Sequence, residues 1–247
     1  LLVRIGSKTG NDSSTVFYHY NTAKLLIGEK TVGLSGTTSI DNDLKIYRLS
    51  SGVIERTVLT SVTLAASGVD SIVTRYNYNT STSKYTSAVF SVNVMGLDIS
   101  DSTLFTYDAS GRISMDEHYT QVTGFPLPLL TLRNVYTYSP DGLNLISAEQ
   151  SAPQTIGGPL SPVSSQTFTY DTKKSPLVLK NEAILILRPN LYSAQNSTST
   201  TLVNTIDPTA DFSLDVIYKY NTASKPDSSS STRTPGGEIT SSIYFYQ

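Results

Sequence analysis

An aromatic residue, one intervening position, a tyrosine and then a turn-forming residue recur along the whole chain. The motif reads Tyr18-His19-Tyr20-Asn21, Tyr76-Asn77-Tyr78-Asn79, Phe105-Thr106-Tyr107-Asp108, Tyr136-Thr137-Tyr138-Ser139, Phe168-Thr169-Tyr170-Asp171 and Tyr218-Lys219-Tyr220-Asn221, and Tyr244-Phe245-Tyr246 closes the sequence. Residues two apart share one face of an extended strand, so each motif predicts a strand end with both rings on one side. Measured on the second tyrosine, the steps are 58, 29, 31, 32, 50 and 26 residues. Taking 58 and 50 as double steps, with Tyr47 and Tyr192 as degenerate members, gives a unit of about 28 residues. A repeat running from end to end predicts one all-β domain over residues 1–247.

Each pair leads into turn chemistry, as in Asp108-Ala109-Ser110-Gly111-Arg112, Ser139-Pro140-Asp141-Gly142 and Asn221-Thr222-Ala223-Ser224-Lys225. Asx side chains bond their own backbone, Gly takes the left-handed position and Pro fixes φ, so each segment predicts a tight hairpin connection. At ~3.3 Å per residue and up to ~10 residues per strand, each unit holds two strands. The expectation is a single antiparallel meander of about 14–18 strands in hairpin repeats. Composition agrees: the chain carries 36 Ser and 32 Thr, 16 Tyr, 11 Pro, 15 Gly and only 2 Met, which opposes a helical bundle. Leu214, Val216, Tyr218 and Tyr220 alternate with Ser213, Asp215 and Lys219, with Ile217 also on their side, predicting one covered and one wet face.

A net charge of −2 gives no footprint for nucleic acid. The chain has no Cys, which removes disulfides, thiolate nucleophiles and zinc–thiolate sites. The longest apolar stretches fall well short of the ~18–20 residues of a membrane helix. Loops are expected at Ser35–Asp43, Met95–Ser102, Ser151–Ser165 and Pro226–Gly237, from their Pro, Gly, Ser and Asp content. Pro176–Asn190, apolar on both faces at Ala183–Leu187, reads equally as a buried strand or as a short helix started by Asn181.

The strings Phe105-Thr-Tyr-Asp-Ala-Ser-Gly-Arg-Ile113, Phe168-Thr-Tyr-Asp-Thr-Lys-Lys-Ser-Pro-Leu177 and Ile217-Tyr-Lys-Tyr-Asn-Thr-Ala-Ser-Lys-Pro226 resemble the tyrosine–aspartate repeats of exported bacterial proteins. More narrowly, they are similar to a family of Bacteroidetes lipoproteins of unknown function. That resemblance implies a sheet strongly curled or closed into a porin-like barrel. It also implies a cell-envelope protein, periplasmic or surface-exposed, whose only membrane association is a lipid anchor upstream of Leu1. The family supplies no catalytic residues to carry over.

Chemistry is sparse. The two histidines, His19 and His118, each sit beside an aromatic residue on a predicted strand, where a solvent-facing position is the ordinary explanation. In Asp116-Glu117-His118 neighbouring side chains point to opposite faces, which spoils a compact ligand set. Asp41-Asn42-Asp43 and Asp98 with Asp101 lack the spacing of a Ca²⁺ loop and read as turn caps. Gly157-Gly158-Pro159 is a turn, and Asn-x-Ser/Thr at Asn11, Asn79 and Asn196 is chance in so hydroxyl-rich a chain. No catalytic residue, metal ligand or cofactor is predicted.

The leading expectation is a monomeric, non-catalytic envelope protein that binds a glycan or peptide through loops or a concave sheet face. The columns Tyr78, Tyr107, Tyr138, Tyr170 and Tyr220 are the candidate ligand platform, set against the plainer reading that they fill the covered face. Two alternatives stand beside it. One is a transmembrane β-barrel with a tyrosine girdle, which the polar strands Arg75–Tyr78 and Ser164–Tyr170 oppose. The other is a carboxylate-based hydrolase, which needs two acidic side chains across a cleft.

Overall fold

The structure is a computed structural model describing residues 1–94, 97–121 and 126–247. Among these residues sixteen strands are formed: β1 Leu2–Thr9, β2 Asp12–Tyr20, β3 Leu26–Ser35, β4 Thr38–Arg48, β5 Ile54–Ser61, β6 Ile72–Asn79, β7 Lys84–Val94, β8 Leu97–Tyr107, β9 Ile113–Thr120, β10 Leu129–Tyr138, β11 Leu145–Pro153, β12 Leu160–Lys174, β13 Gln195–Asn204, β14 Phe212–Tyr220, β15 Pro226–Thr234 and β16 Glu238–Tyr246. Each pairs with its sequence neighbours, and β1 also pairs with β16, so the sheet is a closed antiparallel barrel with no free edge. The chain packs as two compact units, residues 1–104 with 242–247 and residues 105–241.

Every even-numbered strand carries the motif at or near its end, which corrects the assignment of the two degenerate members. In β4 the second position is Arg48, whose Nε donates to the Leu26 carbonyl at 3.0 Å as the Tyr20 hydroxyl donates to the Leu2 carbonyl at 2.7 Å. Tyr47 lies one residue out of phase, on the exposed face. Tyr192 belongs to no strand. The step of 50 is a single unit lengthened by the connection 175–194 between β12 and β13.

A second regularity accompanies the first. Pairing slips by one residue between His19 and Tyr20, Tyr47 and Arg48, Asn77 and Tyr78, Thr137 and Tyr138, Thr169 and Tyr170, and Lys219 and Tyr220. These β-bulges sharpen the local twist and re-aim the side chain that comes after them. The residue at or near the start of each return strand is buried: Leu26, Ile54, Tyr85, Ile113, Leu145 and Pro226. In two of the hairpins its carbonyl holds the motif tyrosine of the next: Tyr138 donates to Ile113 O, and Tyr170 to Leu145 O at 2.5 Å. Burial pushes the Tyr20 and Tyr170 phenols up to about 12.

The tight turns are Asx-capped as expected. Asp108 Oδ1 accepts from the Ser110 and Arg112 amides at 2.9 and 3.0 Å, and Asn221 Oδ1 from those of Ala223 and Lys225 at 3.0 and 3.1 Å. Gly111 and Gly142 take the left-handed position at φ +78° and +70°, a role that Lys24 and Ser224 fill without a glycine.

Three of the expected loops are largely strand. Residues 35–43 contain only a turn at Gly36, residues 151–165 a loop at 154–159, and Pro226–Thr234 is β15 throughout. In the fourth, Met95 and Gly96 lie outside the described residues, while 97–102 belongs to β8. Hydroxyl side chains that look loop-like in composition suit the wet face of a sheet whose backbone groups are satisfied on both sides. The apolar stretch is a short helix, α2 in a chain whose α1 is Val62–Ala66, and it runs from Asn181 to Leu185. It is pinned by Asn181, which donates to the Gly111 carbonyl at 2.9 Å and accepts from the Ile113 amide at 3.1 Å. Ala183 packs with Leu145, Phe168 and Tyr192, and Tyr136, Tyr138 and Tyr170 lean on this cluster. Each fully buried side chain of the larger kind contributes roughly 1.5–3 kcal/mol.

Candidate functional site

On β9 and β10, alternation sends Asp116, His118, Asn134 and Tyr136 to the covered face, and Glu117, Tyr119 and Arg133 to the other. Adjacent members of the Asp-Glu-His cluster diverge as expected, yet positions two apart converge. Asp116, 2% exposed, accepts from His118 Nε2 at 2.9 Å and Asn134 Nδ2 at 2.7 Å on one oxygen. Its other oxygen accepts from the Tyr136 hydroxyl at 2.7 Å. Burial, helped by the Asp116 charge, holds the Tyr136 phenol far above its ordinary range. A buried carboxylate is tolerable only with such partners, and three of its acceptor directions are taken.

The network continues across the sheet. Asn134 stands opposite Gln150, Gln150 opposite Ser164, and Gln166 opposite Ala148 and Leu202. Gln150 Nε2 donates to Asn134 Oδ1 at 3.2 Å. These side chains line a cavity of about 290 Å³ on the covered face, bordered by Ile184, Leu187 and Pro189 of the β12–β13 connection. That is the low end of the volumes that hold small ligands, and the mixture of amides and aliphatics is what such pockets present. The signal available in the sequence is the two-residue alternation of polar side chains, Asp116 with His118 and Ser164 with Gln166.

The motif tyrosines are elsewhere, toward the ends of the even-numbered strands. Tyr138 and Tyr170 are held by backbone carbonyls of the preceding hairpin. Tyr220 donates to Asp171 and accepts from Asn196 Nδ2 at 3.2 Å. Tyr78 packs edge-on to Tyr85 with ring centroids 5.0 Å apart, and Tyr107 is partly buried at the end of β8. Tyr138, Tyr170 and Tyr220 thus tie neighbouring segments together through their hydroxyls. The hollow of about 940 Å³ beside the termini is lined by Phe17, Phe245 and the motif pair Tyr18 and Tyr20. At its rim the Leu1 amino group donates to Gln247 O at 2.8 Å, and Arg4 lies over Phe245 at 3.7 Å.

Among the described residues no three His, Cys, Asp or Glu side chains group as metal ligands. No helix among them is long and apolar enough to cross a membrane.

No protein-family model matches the chain, and no curated protein matches it in sequence. Solved structures do match in fold. A porin-like protein from Bacteroides uniformis is 12% identical with a TM-score of 0.58, covering 100% of this chain and 98% of its own. A porin-like protein from Bacteroides vulgatus is 9% identical with a TM-score of 0.55 over 100% and 98% of the two chains. At this identity the likeness is one of architecture: the chain has the porin-like β-barrel fold.

Proposed function

We propose that this chain is a non-catalytic cell-envelope barrel protein whose covered face holds a small polar ligand, a glycan or a short peptide. The observation that carries the reading is the convergence of Asn134, Gln150, Ser164 and Gln166 on a cavity whose remaining wall is largely aliphatic. Amide side chains offer a donor and an acceptor together, which is what sugar hydroxyls and peptide groups require. Asp116, which a hydrolase would recruit, is committed to three donors and serves to orient Asn134. The likeness to porin-like proteins supports an envelope setting.

The exposed face argues against a lipid-facing role. Thr137, Ser147, Thr167, Thr201, Ser213 and Thr234 form one continuous row across six strands, β10 to β15. A transmembrane barrel carries an apolar band there and an outward aromatic girdle. Here the motif tyrosines Tyr138 and Tyr170 tie to the backbone on the covered side.

The test is purification without detergent and then a glycan and peptide array. The expected result is a soluble monomer that retains one ligand class, with retention lost in Gln166→Leu while the far-UV spectrum is unchanged. A requirement for detergent, or equal retention by Gln166→Leu, overturns the proposal.

A further inference from the structure

The exposed face of β3 to β6 carries a cluster of cations remote in sequence from the covered-face cavity. Arg56 on β5 stands directly opposite Arg75 on β6. Like charges in register on neighbouring strands destabilise a sheet, and their Cβ atoms lie only ~4.5–5.5 Å apart. Neither guanidinium has a carboxylate partner among the described residues. Arg56, half-buried, is instead laid over the Tyr47 ring, its central carbon 4.2 Å from the centroid.

The cluster runs on across the strands. Tyr47 faces Arg56, and two residues back along β4 Lys45 faces Gly28, which itself faces His19. Because Gly28 has no side chain, His19, Lys30, Asp43, Lys45 and Tyr47 border a groove of about 450 Å³ on this face. Lys30 is paired at 3.4 Å with Asp41, and Lys45 lies 3.9 Å from the half-buried Asp43, at a surface where such pairs are worth little. Glu55, the bulged residue beside Arg56, is also exposed. From β6 to β3, the strands that carry Arg75, Arg56, Lys45 and Lys30, there are three inter-strand steps of ~4.8 Å, roughly 14 Å in all. A linear chain with repeated negative charges laid across the strands therefore meets Arg75, Arg56, Lys45 and Lys30 in turn.

We propose that this face binds an acidic polysaccharide, one bearing carboxylate or sulfate groups, with the Arg56–Arg75 pair clamping one anionic group. Planar guanidinium forks match both groups in two-point contact. Tyr47 and the groove over Gly28 offer the flat and hollow surfaces that a sugar ring can follow and that a bilayer surface does not need. The site is separate from the covered-face cavity and stands or falls without it.

The full chain is titrated with dextran sulfate, polygalacturonate and neutral dextran, and with vesicles of phosphatidylglycerol and phosphatidylcholine. The expected result is binding of one or both acidic polymers, none of dextran, and an affinity that falls steeply with added salt. Arg56→Ala or Arg75→Ala weakens it about tenfold, the loss of one charge-assisted pair. Arg75→Lys recovers part of the loss, and Lys219→Ala, exposed on the other compact unit, leaves it unchanged. In ligand-free protein Arg75→Ala melts at or above the parent temperature, which separates lost binding from lost fold. Binding of neither acidic polymer, equal binding by the arginine variants, or a preference for the anionic vesicles overturns the proposal.

Discussion

Replacing Tyr170 by Phe removes a single oxygen from a place where three groups depend on it. The hydroxyl donates to the Leu145 carbonyl at 2.5 Å and accepts from Ser193 Oγ at 2.7 Å. Ser193 Oγ in turn accepts from the Leu145 amide at 3.0 Å, and Leu145 and Ser193 are 0% and 1% exposed. Phe fills nearly the same space, so the cost is polar rather than a matter of packing. A buried group left without a partner costs about 1–3 kcal/mol, and here both the carbonyl and the serine hydroxyl are stranded, which gives about 2–6 kcal/mol. For a chain of 247 residues, at ~2–4 °C per kcal/mol, the midpoint falls by at least about 4 °C. Thermal melts tracked by far-UV circular dichroism read this, with Thr167→Val on the exposed face as the control expected within about 0.5 kcal/mol. If Tyr170→Phe melts with the parent, the tyrosines are not staples and the structural role assigned to the repeat fails. Ser193→Ala added to Tyr170→Phe should cost less than Ser193→Ala in the parent, since the hydroxyl it removes is already stranded.

The left-handed turn positions give a pair of opposite sign. Ser224 sits at φ +57°, so Ser224→Gly should stabilise by roughly 1 kcal/mol, while Gly111→Val, at φ +78°, should destabilise by at least that much. Equal urea midpoints for both variants and the parent would refute the turn assignment. Alkaline pH should unfold the protein. Burial raises Tyr76 to about 12, so its contribution is whole below the unfolded value near 10 and is lost as pH climbs to the folded value. Two units at 1.36 kcal/mol each give on the order of 3 kcal/mol for this one side chain. A pH titration of the urea midpoint should fall between 10 and 12, more shallowly in Tyr76→Phe, and a flat profile contradicts the burial.

The repeat is legible because strand alternation, a turn after every second strand and an aromatic at each strand end all recur in one dimension. Its phase is not legible everywhere. Tyr47 is a tyrosine at nearly the right place, yet Arg48 fills the role, because the position needs a long donor aimed at a carbonyl, and a β-bulge decides which residue is aimed. The 50-residue step looks like two units for a similar reason. Tyr192 is buried among the same tyrosines, but it arrives there from a connection and not from a strand. Ser-rich β15 reads as a loop because composition cannot tell a solvated strand face from a solvated turn. The candidate site is hidden for a geometric reason: Asp116 and Gln166 are 50 positions apart, and only the strand order brings Asn134 and Gln150 between them.

The staple also bears on where recognition can reside. A tyrosine whose hydroxyl is engaged by a neighbouring hairpin cannot turn to a ligand without loosening that hairpin, so the ladder trades against binding at its own positions. Side chains outside the motif face no such conflict. Gln150 and Gln166 on the covered face, and Arg56 and Arg75 on the exposed one, can change without touching the Leu145 or Ile113 carbonyls that hold the hairpins together. A barrel that keeps this tyrosine ladder can therefore change entirely in what it binds.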